Sequence, residues 1–120
     1  MDTNQNEEHN EMLSAGPGIK SISIHNTLPA VIEVNVIPGK IPPGRPILLG
    51  QNQWKTFEPA TIPNLKPGML WAPIARAGRE IRGASYPYNP NGVDIYFNVK
   101  QKNPLERFDF VLEQTSERPN

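Results

Sequence analysis

The sequence predicts an all-β chain, a small antiparallel β-sandwich with a disordered acidic N-terminal arm. Three observations predict it. Proline supplies 14 of 120 residues where ordinary usage gives about 6, and an interior proline costs a helix about 3 kcal/mol or more. Several segments alternate strictly between apolar and polar residues, which is the period of a half-buried strand. Turn residues punctuate those segments at the short intervals found in sandwiches and small barrels.

The first segment, MDTNQNEEHNEMLSAGPG (1–18), carries Asp2, Glu7, Glu8 and Glu11 with no Lys or Arg before residue 12. It has too little apolar surface to offset the entropy of ordering it, so a disordered arm is expected. Residues 19–113 are expected to form the β-sandwich domain, and 114–120 a polar tail.

Order begins at Ile19. In KSISIHN, Ile22 and Ile24 share one face, while Ser21, Ser23 and His25 take the other. NTLP (26–29) reads as a turn. AVIEVNVI (30–37) then alternates again, with Ala30, Ile32, Val34 and Val36 against Glu33 and Asn35. The two segments are expected to pair as an antiparallel hairpin. PGKIPPGRP (38–46) is too proline-rich for a central strand. ILLG and QWKTF (47–57) read as one or two short strands, and EPATIPNLKPG (58–68) as a loop. MLWAPIARA (69–77) reads as a strand that Pro73 confines to an edge or a bulge.

SYPYNPNG (85–92) ends in turn chemistry, with Asn and Gly expected to supply positive φ. VDIYFNVK (93–100) is the strongest strand, with Val93, Ile95, Phe97 and Val99 toward the core and Asp94, Tyr96, Asn98 and Lys100 outward. NPLERFDFVLEQ supports two readings. Phe108, Phe110 and Leu112 alternate as in a strand pairing with 93–100. Asn103 as N-cap, Pro104 and Glu106 instead open a helix that places Leu105, Phe108 and Leu112 on one face. The expected core is Ile22, Ile24, Ile32, Val34, Val36, Ile95, Phe97, Phe108, Phe110 and Leu112.

Composition removes several function classes. With no cysteine, neither a disulfide framework nor a thiolate metal site is available. No basic segment followed by an apolar core marks a secretory leader, and no apolar run approaches the roughly 18 residues of a membrane helix. The chain is therefore expected in the cytoplasm by default, or released without a signal peptide. Net charge is zero. Residues 12–113 carry only a modest basic excess, short of a nucleic-acid binder's footprint, so no nucleic acid is expected as partner.

The catalytic inventory is thin. His9 and His25 are the only histidines, no G-x-S-x-G elbow is present, and no zinc set is visible. Asp94, Glu106 and Asp109 are placed to approach one another across the last hairpin, where carboxylates ordinarily sit on a solvated face. No enzyme activity and no cofactor are expected.

Two constellations suit binding instead. RAGREIRG (76–83) spaces Arg76, Arg79 and Arg82 three apart, and their guanidinium forks match phosphate or carboxylate. The alternative is a solvated loop or edge strand partly neutralised by Glu80. Tyr86 and Tyr88 lie nearby, Trp54 and Trp71 fall in expected strands, and Tyr96 points outward. An aromatic pair beside three arginines suits a lipid head group, a sugar or a protein surface, unless the rings cap the core. The candidate ligand-binding residues are therefore Arg76, Arg79, Arg82, Tyr86, Tyr88, Trp71 and Trp54.

SISIHNTLPAVIEVNV, the Pro-Gly step in LKPG (65–68) and the Gly-Arg pair in AGRE (77–80) followed by Gly83 resemble, in order, the pattern of aegerolysins over residues 19–83. That resemblance implies a β-sandwich that recognises membrane lipids and works with a larger pore-forming partner, a cytolysin-type component. The expected function is thus non-enzymatic recognition of an anionic or zwitterionic lipid head group or glycan. The alternative is a self-assembling structural subunit, coat-like or scaffold-like, whose short edge strands contact neighbouring copies.

Overall fold

Alternation along each strand decides which side chains turn inward, and in this chain it builds two facing sheets. The computed structural model describes residues 18–38, 47–62, 64–103, 105–106 and 109–115. In chain order the strands are β1 (Ile19–Asn26), β2 (Ile32–Ile37), β3 (Ile47–Leu49), β4 (Trp54–Phe57), β5 (Leu70–Ala77), β6 (Arg79–Arg82), β7 (Tyr86–Pro87), β8 (Val93–Gln101) and β9 (Phe110–Thr115). The first sheet runs β4-β1-β8-β9 and the second β3-β2-β5-β6, with β7 also pairing with β5. Among the described residues the only helical turn is a 3-10 turn at Pro59–Thr61, and no helix is long and apolar enough to cross a membrane.

The core lies between the sheets. Ile22, Ile24, Ile32, Val34, Val36, Ile95, Phe97 and Phe110 are buried there as expected, with Leu112 half-buried against them. Phe108 lies outside the described residues. Ala30 is exposed and Val93 is 45% exposed. Both keep the inward parity of their segments but sit at or beyond strand ends, where the facing sheet no longer covers them. Gly18 is buried and accepts the Val93 N–H through its carbonyl. Gly18 and the β9 residues Gln114 and Thr115 thus join the folded strands; the rest of the expected arm and tail lies outside the described residues.

The expected β1–β2 hairpin does not form. β1 pairs antiparallel with β4 and parallel with β8, while β2 pairs with β3 and β5. Residues 27–31 carry the chain from one sheet to the other, and Asn26 steers the crossing. Its amide Nδ2 donates to Ala30 O at 2.8 Å and to Leu49 O at 3.0 Å, and its Oδ1 accepts the Leu28 N–H at 2.8 Å. A buried side chain at the end of a first-sheet strand thus bonds directly to a strand of the second.

Pro73 lies in a central strand, not at an edge: β5 is flanked by β2 and β6. In an extended strand the N–H and C=O of one residue point to the same side. The Pro73 carbonyl accepts the Gly83 N–H, so its nitrogen faces Gly83, one residue beyond the end of β6. Only the return bond of that last pair is given up, at the end of the β5–β6 ladder.

The ambiguous segment resolves as a strand. Phe110–Thr115 pairs antiparallel with β8, from Gln101↔Phe110 to Tyr96↔Thr115. The capping signal was real but local. Asn103 accepts the Leu105 N–H through its side chain and the Glu106 N–H through its carbonyl, a single turn that is not continued. In the turn before β8, Gly92 does not adopt positive φ; Gly18, Gly68 and Gly78 do. Gly92 is needed for close approach, since an added Cβ would strike the Gly18 carbonyl and sit 3.0 Å from Ile19 N. Gly92→Ala is expected to destabilise by about 1–3 kcal/mol in urea unfolding, as overpacking against backbone does.

Candidate functional site

The alternation that buries Ile22 and Ile24 turns Ser21, Ser23 and His25 to the outer face of the first sheet. The parallel neighbour β8 sets Asp94, Tyr96 and Asn98 beside them, through Ser21↔Asp94, Ser23↔Tyr96 and His25↔Asn98. On the other side β4 sets Thr56 beside Ser23 and Trp54 beside His25. Two polar rows therefore cross this sheet.

Hydrogen bonds knit the rows together. The Ser21 hydroxyl donates to Asp94 Oδ1 at 2.5 Å, Ser23 Oγ and Thr56 Oγ1 share a bond at 2.8 Å, and His25 Nδ1–H donates to Asn98 Oδ1 at 2.9 Å. Ser21 and Ser23 are only 4% and 3% exposed, so their hydroxyls form a fixed floor. Lys100 and Glu113 pair at 3.1 Å at the far margin.

Above the floor lies a cavity of about 190 Å³, with Trp54 and Tyr96 on opposite sides of β1 and Glu58 and Asp94 at one end. The same two carboxylates also border a second cavity of about 450 Å³, whose walls are Lys20, Pro59, Ala60, Tyr88 and Pro90. Among the described residues no side chain bonds the Glu58 carboxylate or the Lys20 ammonium, and Asp94 is held only by Ser21. The two cavities adjoin at Glu58 and Asp94, which border both, and are together termed the groove. Trp54 stands opposite His25 and Tyr88 bridges to Ile19, six residues along β1, so the groove spans roughly 20 Å at about 3.3 Å per residue.

The residues expected to form one basic aromatic rim are separated. RAGREIRG is a tight β5–β6 hairpin turning at Gly78. Arg76 bonds Glu80 at 2.5 Å and Glu33 at 3.4 Å. The Glu80 hydrogen bond, followed by the charge of Glu33, raises its pKa above the ordinary value. Arg79 and Arg82 are exposed on the edge strand β6. Arg82 stands opposite Ile74 on β5 and Tyr86 opposite Trp71, about 10 Å apart along the strand.

The tyrosines divide between two roles. Tyr86 donates its hydroxyl to Gln114 at 2.6 Å and packs on the core. Tyr88 meets Trp71 edge-on, with ring centroids 6.0 Å apart, and borders the larger cavity. Trp71, also among the ligand-binding candidates, is 1% exposed and lies in the core. Of the seven candidates, Trp54 and Tyr88 line the groove.

Asp94 does not meet Glu106 and Asp109. It lies near the start of β8, whereas the 102–109 turn follows the end of that strand. Among the described residues no group of three or more His, Asp or Glu is placed to hold a metal ion. Sequence reasoning did not gather Ser21, Ser23, Thr56, Glu58, Asp94 and Tyr96 into a site. The signal was present in the outward parity of β1 and β8, but only their adjacency turns two polar faces into one floor.

No protein-family model, no curated protein and no solved structure matches the chain.

Proposed function

We propose that this protein is a non-enzymatic recognition module that takes a polyhydroxylated ligand, a glycan, in the groove on its first sheet. One observation carries the reading: Trp54 and Tyr96 flank a floor of fixed hydroxyls that ends in two carboxylates. Pyranose rings present apolar C–H faces that stack on aromatic rings and equatorial hydroxyls that bond to such a floor, so one site serves both halves of the ligand. A hydroxyl-rich floor also suits a sugar better than a quaternary ammonium head group, which needs aromatic walls and little hydrogen bonding. The resemblance of residues 19–83 to aegerolysins is in keeping with a recognition role.

Affinity electrophoresis of the full chain through gels containing soluble polysaccharides tests this. Trp54→Ala and Tyr96→Ala are each expected to weaken retardation by about tenfold to a hundredfold, the loss of one stacking face at 1.4 kcal/mol per decade, with an unchanged circular dichroism spectrum. Retention of full binding by both variants would remove the groove from the function. Binding to phosphatidylcholine vesicles but to no polysaccharide would move the reading to a lipid head group.

A second reading, self-assembly, draws on one observation. Val31 and Leu48 are 62% and 58% exposed beside the three-residue edge strand β3, a short, uncovered edge open to a neighbouring copy. A strict monomer by light scattering at high concentration counts against it.

A further inference from the structure

The hydrogen-bonding capacity left in the groove is lopsided. Ser21 spends its only proton on Asp94, and Ser23 and Thr56 share one proton between them. A hydroxyl has one donor and two acceptor positions, and an ionised carboxylate only accepts. The floor and its end therefore offer mainly acceptors: the oxygens of Ser21, Ser23 and Thr56, both oxygens of Glu58, and the Asp94 oxygen that Ser21 does not use. The donors among the lining side chains are the Tyr96 hydroxyl, one hydroxyl of the Ser23–Thr56 pair, the Trp54 indole N–H, and Lys20 at the rim of the larger cavity. A phosphate, sulfate or uronate group would meet acceptors and like charge.

Resting on the glycan reading above, we infer that the groove selects a cationic amino-sugar chain, with a protonated amine seated where Glu58 and Asp94 border both cavities. The two carboxylates outnumber Lys20 at that junction. Charge-assisted bonds from an ammonium to a carboxylate are about twice as strong as neutral ones, and the rings of Tyr96 and Tyr88 on either side add attraction for a cation. Successive sugar units extend from this point, one way over Ser23 toward Trp54 and the other way between Pro59 and Pro90 beside Tyr88.

Calorimetric titration of the full chain compares three β-1,4-linked hexamers, of glucosamine, N-acetylglucosamine and a uronic acid, at low salt and about pH 5.5. The sugar amines are protonated there. The glucosamine hexamer is expected to bind at least tenfold tighter than the acetylated one, the uronate hexamer weakest, and free glucosamine far more weakly than its hexamer. Added salt should erode the preference. The double variant Glu58→Gln, Asp94→Asn should lose the preference, binding the glucosamine and acetylated hexamers alike. Glu58→Gln alone, at an exposed side chain that bonds nothing within the described residues, should reduce it and serves where the double variant does not fold. Equal binding of the amino and acetylated hexamers, tightest binding of the uronate, or equal binding of monomer and hexamer would overturn this inference and leave the glycan reading standing. Binding of no oligosaccharide would overturn both.

Discussion

Trp71→Ala is expected to remove about 3–5 kcal/mol of stability, the usual cost of truncating a large buried aromatic. Trp71 is the largest of the fully buried side chains and lies on the central strand β5, its ring against Tyr88 at the end of the sandwich. Truncation leaves a cavity and takes from Tyr88 the surface that holds it at the groove. Thermal unfolding should fall by roughly 10–20 °C. The companion Trp71→Phe should be mild, within about 1.5 kcal/mol. Among the described residues the buried indole Nε1–H has no hydrogen-bond partner, and removing such a donor returns part of what the lost ring volume costs. A Trp71→Ala loss below about 1 kcal/mol would mean that the side chain is not core.

Asn26→Ala should cost about 2–4 kcal/mol by urea unfolding, more than a typical substitution at a strand end. One fully buried amide satisfies the Leu28 N–H and the carbonyls of Ala30 and Leu49, and alanine leaves those groups buried without a partner. Asn26→Asp keeps the bond to Leu28 but sets a carboxylate oxygen against two carbonyls, and is expected to cost more than alanine at neutral pH. If both variants unfold like the parent chain, the crossing between sheets does not depend on this side chain.

The same residue marks where legibility ends. Alternation in KSISIHN and AVIEVNVI identified both strands and their inward faces, because burying one face of a pleated strand requires apolar residues at every second position. The period says nothing about which strand lies alongside. A hairpin and a crossing satisfy the same pattern, and the difference rests on three hydrogen bonds that Asn26 makes to residues up to 23 positions away. Pro73 followed the same course. A missing N–H argues for an edge only when it would interrupt a continuing ladder, and Pro73 meets β6 where their pairing ends.

For the site, sequence order misled in one direction and composition helped in another. Three arginines and two tyrosines stand close along the chain, yet the β5–β6 hairpin and the antiparallel return of β7 spread them over different parts of the molecule, and Arg76 is taken up by Glu33 and Glu80. The outward parity of Ser21, Ser23 and His25 on β1 and of Asp94, Tyr96 and Asn98 on β8 was legible.

The sequence by itself determined the class of fold, the inward residues of each main strand, and the polar character of two outward faces, since these follow from local period and composition. Tertiary structure alone decided that β1 and β8 run parallel as neighbours, that β4 closes the other side, and that Glu58 and Asp94 border one groove. Those contacts join residues separated by up to 73 positions, and no local preference encodes a partner at that distance.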